Sequence, residues 1–216
     1  MILLSSGGIE RARTQGGCDL KKGLIHLYCG SGKGKTTAAL GLAVRYAGSG
    51  GRVLFVQFFK TIESSELNSL ALLPNVEVLR NSSRFSFYDE MTPAQIEAVT
   101  RENNANLGLA LEKVRAGACG MLVLDEIAGC YQYNLIDRGE VDRLLADTRG
   151  VELVLTGIHP PESFTAAADY ITEMVCKRHP YEKGVRAALN LGHTVGHGSE
   201  QAMRFRLGHG DAVAIG

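Results

Sequence analysis

The chain has 216 residues, enough for one α/β domain with a small appendage, and its hydrophobic fraction of 45% suits a protein with a buried core. Its 23 basic side chains balance 23 acidic ones, which removes any electrostatic reason to expect nucleic acid or a membrane as partner. Five cysteines, odd in number and without C-x-x-C spacing, read as thiols of a reducing compartment; no apolar run reaches signal-peptide or transmembrane length, so a cytoplasmic protein is expected.

Residues 1–22 read as a flexible lead-in, with Ser5-Ser6-Gly7-Gly8 and Gln15-Gly16-Gly17 as its loosest parts. From Gly23 the pattern changes. Leu24-Ile25-His26-Leu27-Tyr28 is long enough for one buried strand, and Gly30-Ser31-Gly32-Lys33-Gly34-Lys35-Thr36-Thr37 is a glycine-rich turn. Ala38 to Arg45 then has the small and apolar residues of a packed helix. Strand, glycine turn and helix form the context of a phosphate-binding loop. Glycines let backbone N–H groups gather around phosphate oxygens, and the helix adds its positive end. Lys35 is then a mobile charge for the outer phosphates, and Thr36 a hydroxyl for Mg²⁺. The pattern G-x-x-x-x-G-K-[ST] departs at its first position, where this chain has Cys29.

Gly48 to Gly51 should stop the helix, and Arg52 to Phe59 reads as a strand buried on both faces. Lys60 to Ser65 is loop-like, Ser65 can cap a short helix through Leu73, and Val76 to Leu79 is a third strand. The polar stretch 80–92 carries Phe85, Phe87 and Tyr88, rings that either cover a flat ligand or fold back on the core. Thr92 as cap and Pro93 in the first turn predict an amphipathic helix to about Arg115, closed by Gly117.

Gly120 to Glu126 is an apolar strand ending in Asp125-Glu126, acids placed to reach Mg²⁺ or its water shell beside a phosphate loop, or else to cap Ile127-Ala128-Gly129. A helix from Asp137 to about Arg149, a strand and turn over 151–157, a short helix from Pro160 and a last strand over 168–175 complete the alternation. It predicts an α/β fold, a mostly parallel sheet with helices on both faces, of the P-loop NTPase kind.

GSGKGKTTAALGLA, VLFVQFFK, LPNVEVLR, LVLDEI with the later LIDR, LTG-x-x-PP, ADYITEM and KRHPYEKGVRA follow in one order. Together they make residues 23–187 similar to the P-loop ATP:corrinoid adenosyltransferases, a family that also lacks the first glycine of the loop. The resemblance implies that Co(I) of a reduced corrinoid, cobalamin or cobyrinic acid a,c-diamide, attacks the 5′ carbon of ATP and releases triphosphate. It also implies that ATP lies reversed in the loop relative to ordinary P-loop enzymes. Lys35, Thr36 and Glu126 would be catalytic, with Thr36, Asp125 and Glu126 at Mg²⁺ and Gly30 to Thr37 at the phosphates. Phe85 and Phe87 match an aromatic loop that presses on the corrin face and removes the lower cobalt ligand. A flavoprotein reductant and a homodimer are also implied. Where the family commonly has arginine after LTG, this chain has Ile158 followed by His159, and an aliphatic chain cannot replace a guanidinium fork.

Residues 188–216 resemble the metal-binding segment of 3-dehydroquinate synthases, which implies zinc ligands at His193 and His209 and a chemical role for His197. The upstream glutamate ligand and NAD domain of that family have no counterpart here, so a partial remnant is expected rather than a working zinc site. Alternatives to the transferase are a general P-loop NTPase or kinase, a non-catalytic nucleotide-binding module, and a dehydroquinate synthase fragment.

Overall fold

The computed structural model describes residues 23–59, 65–82 and 88–178. The expectations for the lead-in, for Phe85 and Phe87, and for the segment with His193, His197 and His209 lie outside them.

Six strands form one parallel sheet: β1 (Ile25–Cys29), β2 (Val53–Gln57), β3 (Val76–Arg80), β4 (Met121–Asp125), β5 (Glu152–Thr156) and β6 (Tyr170–Glu173), in the order β3-β2-β4-β5-β1-β6. The runs VLFVQ and MLVLD are buried at every position, as strands covered on both faces require. Edge strand β6 is exposed throughout. Helices α1 (Lys35–Gly48) and α2 (Glu66–Leu70) cover one face, where Ala39, Ala43, Ala47 and Leu70 pack on Val53, Phe55, Val123 and Val154. Helices α3 (Pro93–Arg115), α4 (Ile127–Gln132), α5 (Arg138–Ala146) and α6 (Glu162–Ala167) supply the larger core on the other, from Val99 and Leu107 through Ile127 and Val141 to Phe164. The expected architecture is therefore present, with every pairing parallel.

Local signals explain the best-placed boundaries. Thr92 Oγ1 accepts from Gln95 N at 3.3 Å while Gln95 Oε1 accepts from Thr92 N at 2.8 Å, a reciprocal cap that starts α3, and Gly117 at φ 63 closes the turn after it. Asp137 caps α5 by accepting from Glu140 N at 3.0 Å. Two expectations need correction. Ser65 makes no side-chain cap bond and α2 ends at Leu70, because Leu73 and Pro74 already turn the chain into β3. The alternative that an acid caps the segment from Ile127 fails at Glu126, although the segment is a helix, α4. Glu126 stands at its N-cap position in a left-handed conformation (φ 63) and makes no side-chain cap bond.

Candidate functional site

The glycine turn leaves β1 at its carboxyl end and enters α1, the position at which parallel α/β sheets bind ligands. Cys29 is tolerated at the first position of the motif because it is still a strand residue. Its side chain is buried in the larger core, and the turn begins only at Gly30 (φ 96). Burial pushes the Cys29 thiol up, Glu173 adds to the effect, and Lys35 opposes it.

Gly30 and Gly32 are required for a reason the motif does not show. A Cβ at either would run into the backbone of Met174, which leaves β6 directly against the loop. Gly32 N donates to Met174 O at 2.6 Å, Met174 N to Cys29 O at 2.8 Å, and Gly30 N to Ile158 O at 3.0 Å. The amides of Gly30 and Gly32 thus tie the loop to the exits of β5 and β6. The amides presented at its mouth come instead from the first turn of α1, whose N–H groups have no acceptor within the helix.

Lys35 is fully buried, and its Nζ donates to Gly30 O at 2.7 Å and Gly32 O at 2.9 Å. It was expected as a mobile charge; it is held inside the curve of the loop. Burial lowers its pKa, while the carboxylates of Glu126 and Asp125 and the nearby Cys29 pull it back up. The ammonium is thus short of solvation and faces the acids at and just past the end of β4.

Those acids are organised by two threonines. Thr36 Oγ1 donates to Asp125 at 2.9 and 3.3 Å, so the first turn of α1 is bonded to the end of β4. Thr156, at the end of β5, donates to Asp125 Oδ1 at 2.7 Å and accepts from Glu126 N at 2.8 Å. Its hydroxyl fixes the Asp125 carboxylate and the backbone of Glu126 together, which helps explain how a glutamate holds positive φ there. Nothing in the motif LTG by itself marks Thr156 as a site residue. The available signal was a hydroxyl residue ending the strand next to the acid-bearing one.

Ser31, Lys33 and Thr37 are exposed around the mouth, and Gly34 takes a left-handed conformation (φ 112) to start the helix. Ile158 is half-buried and serves the loop through its carbonyl. Among the described residues no group of three or more His, Cys, Asp or Glu side chains could hold a metal ion by itself. The set present, the Thr36 hydroxyl with the carboxylates of Asp125 and Glu126, fits Mg²⁺ in the way that ion is bound beside phosphates: few protein oxygens, with substrate oxygens and water completing the shell. Among the described residues no helix is long and apolar enough to cross a membrane.

The family model for ATP:corrinoid adenosyltransferase BtuR/CobO/CobP matches residues 21–191. A corrinoid adenosyltransferase of Sinorhizobium sp is 31% identical over 169 residues, covering 77% of this chain and 78% of the relative. One from Pseudomonas aeruginosa is 28% identical over 171 residues, 77% of this chain and 82% of the relative. A 3-dehydroquinate synthase of Symbiobacterium thermophilum is 49% identical, but over 55 residues only, 26% of this chain and 15% of the synthase.

Proposed function

The chain belongs to the ATP:corrinoid adenosyltransferase family, and from that membership we propose a residue-level account of how it moves the adenosyl group of ATP to a corrinoid. The observation that carries the account is one cluster at the carboxyl ends of the strands: the loop curled around Lys35, with Thr36 bonded to Asp125 and Glu126 alongside.

In this account the electron pair of Co(I) forms the bond to the 5′ carbon as the carbon–oxygen bond breaks, and the triphosphate leaves with that bonding pair. No protein nucleophile is needed, because the corrinoid carries the hard chemistry. The protein aligns the two reactants and stabilises charge building on the leaving group. Lys35 and the amides opening α1 do the second task, with Lys33 and the hydroxyls of Ser31 and Thr37 at the rim. An ammonium already stripped of water acts more strongly on phosphate oxygens than one in bulk solvent. Thr36, Asp125 and Glu126 would hold Mg²⁺, which when bound offsets charge on the phosphate oxygens.

The family resemblance supports the remaining parts of the reading. They are ATP reversed in the loop, Phe85 and Phe87 against the corrin face, a flavoprotein as electron source, a homodimer and a cytoplasmic setting. Residues 23–187 would form the transferase unit after a lead-in over 1–22. For residues 188–216 we favour a partial dehydroquinate-synthase-like remnant, with His193 and His209 holding no working zinc site.

The test is direct. Incubation with ATP, Mg²⁺ and chemically reduced cobalamin should yield tripolyphosphate and a light-sensitive alkylcobalt product. Release of ADP and phosphate in place of tripolyphosphate would refute the account.

A further inference from the structure

Gln57 ends β2 and stands in register beside Asp125 on β4, so the two side chains leave neighbouring strands on the same face, the one that carries α1 and α2. Gln57 is fully buried. Its Nε2 donates to Glu66 Oε1 of α2 at 3.2 Å, while its Oε1 is buried with no hydrogen-bond partner. Turning the amide over would set oxygen against the Glu66 carboxylate, so the orientation is fixed by chemistry. A buried acceptor without a donor is costly, and a hydrocarbon side chain would avoid the cost.

The neighbourhood says what donor is missing. On this face Gln57 lies between two carboxylates, Asp125 and Glu66, which when ionised only accept hydrogen bonds. The Gln57 oxygen thus lies next to Asp125, which Thr36 bonds, and acceptors so placed suit a cation and the polarised O–H groups of its water shell. Mg²⁺ keeps several waters when it binds phosphates. We propose that Gln57 is a positioning residue for the magnesium–polyphosphate, its Oε1 accepting a hydrogen bond from water on the ion while Nε2 keeps Glu66 in place. This rests on the polyphosphate reading of the loop given above, and not on what the adenosyl group is transferred to.

Titration of the full chain with sodium tripolyphosphate, and separately with ATP, each with Mg²⁺ and with EDTA and no corrinoid present, tests it. Gln57→Met should weaken Mg²⁺–tripolyphosphate binding by about tenfold or more, as loss of a hydrogen bond to a charged group does. The loss should vanish in EDTA, and the thermal midpoint of the unliganded variant should be no lower than the parent's. The double variant Gln57→Glu with Glu66→Gln, in which the amide of residue 66 becomes the donor and an oxygen still faces the ion, should retain the affinity and guards against a Met variant that folds poorly. Equal binding by Gln57→Met and parent overturns the proposal. So does a loss seen with ATP but not with tripolyphosphate, which would mark an adenosine contact, or a loss that persists in EDTA. A parent protein that fails to bind Mg²⁺–tripolyphosphate overturns the reading of the loop, and this inference with it.

Discussion

Thr156→Val isolates the hydroxyl that joins the two acids. Valine keeps the shape of threonine but neither donates nor accepts. It would leave Glu126 N without its acceptor at 2.8 Å and Asp125 Oδ1 without its donor at 2.7 Å, in a site where both residues are buried. An orphaned buried amide costs about 1–2 kcal/mol, and a lost bond to a carboxylate about 1.5 kcal/mol or more, for a sum near 3 kcal/mol. For a chain of this size that corresponds to a fall in Tm of about 6–12 °C. Thr156→Ser is the control, since it keeps the hydroxyl and loses one buried methyl, worth about 1 kcal/mol. Urea denaturation of parent, Ser and Val proteins at constant m-value gives the comparison. Mg²⁺–ATP binding should weaken in the Val variant alone, because Asp125 then loses one of the two threonine hydroxyls that orient it. If Thr156→Val is within about 1 kcal/mol of Thr156→Ser and binds Mg²⁺–ATP as the parent does, the hydroxyl does not organise the acids.

Lys35→Met should abolish product formation without destabilising the fold. The buried ammonium has a lowered pKa, so in the folded state its charge is a cost at neutral pH. As pH rises from the lowered folded value toward the ordinary lysine value, the folded state sheds the proton first and the parent gains stability. Urea midpoints from pH 7 to 10 should therefore rise in the parent relative to the Met variant, and a flat difference would remove the argument. Gly32→Ala should loosen the loop through its clash with Met174, costing about 1–3 kcal/mol and most of the ATP affinity in a titration. Ile158→Arg should lower KM for ATP about tenfold in the transferase assay, by adding a guanidinium where the backbone already meets the loop at Gly30.

What could be read beforehand was whatever is written in consecutive residues. The cap Thr92-Pro93-x-Gln95, the turn 30–34 and the apolar run ending in Asp125 each carry their structure locally, and each stands as expected. The features that escaped depend on residues distant in the chain. Thr156 matters only because β5 lies beside β4, and Gln57 only because β2 lies on the other side of it. The glycines at 30 and 32 were assigned wholly to phosphate contact, since nothing in the turn announces that Met174 packs on it from about 140 residues away. Helix α4 is short, with glycine and a cysteine inside it, so its existence rests on burial of Ile127, Ala128 and Cys130 rather than on propensity.

Ile158, where the family resemblance implies arginine, is explained once these contacts are joined. Glu126 N bonds to Thr156; a Cβ on the next residue, Gly157, would meet Ala128 of α4; and the carbonyl of Ile158 holds Gly30. The exit of β5 thereby links the acid-bearing end of β4 to the phosphate loop through a hydroxyl, a glycine and a main-chain oxygen. Of these three, the one supplied by position 158 does not depend on its side chain. Isoleucine can replace arginine there without altering the path of the loop, and what is forfeited is charge alone. Geometry and charge are separable at this site: the first is built from backbone held by β5 and β6, the second from Lys35 and whatever cations surround it. A change in the charged side chains then affects affinity for the triphosphate, while the loop that receives it keeps its form.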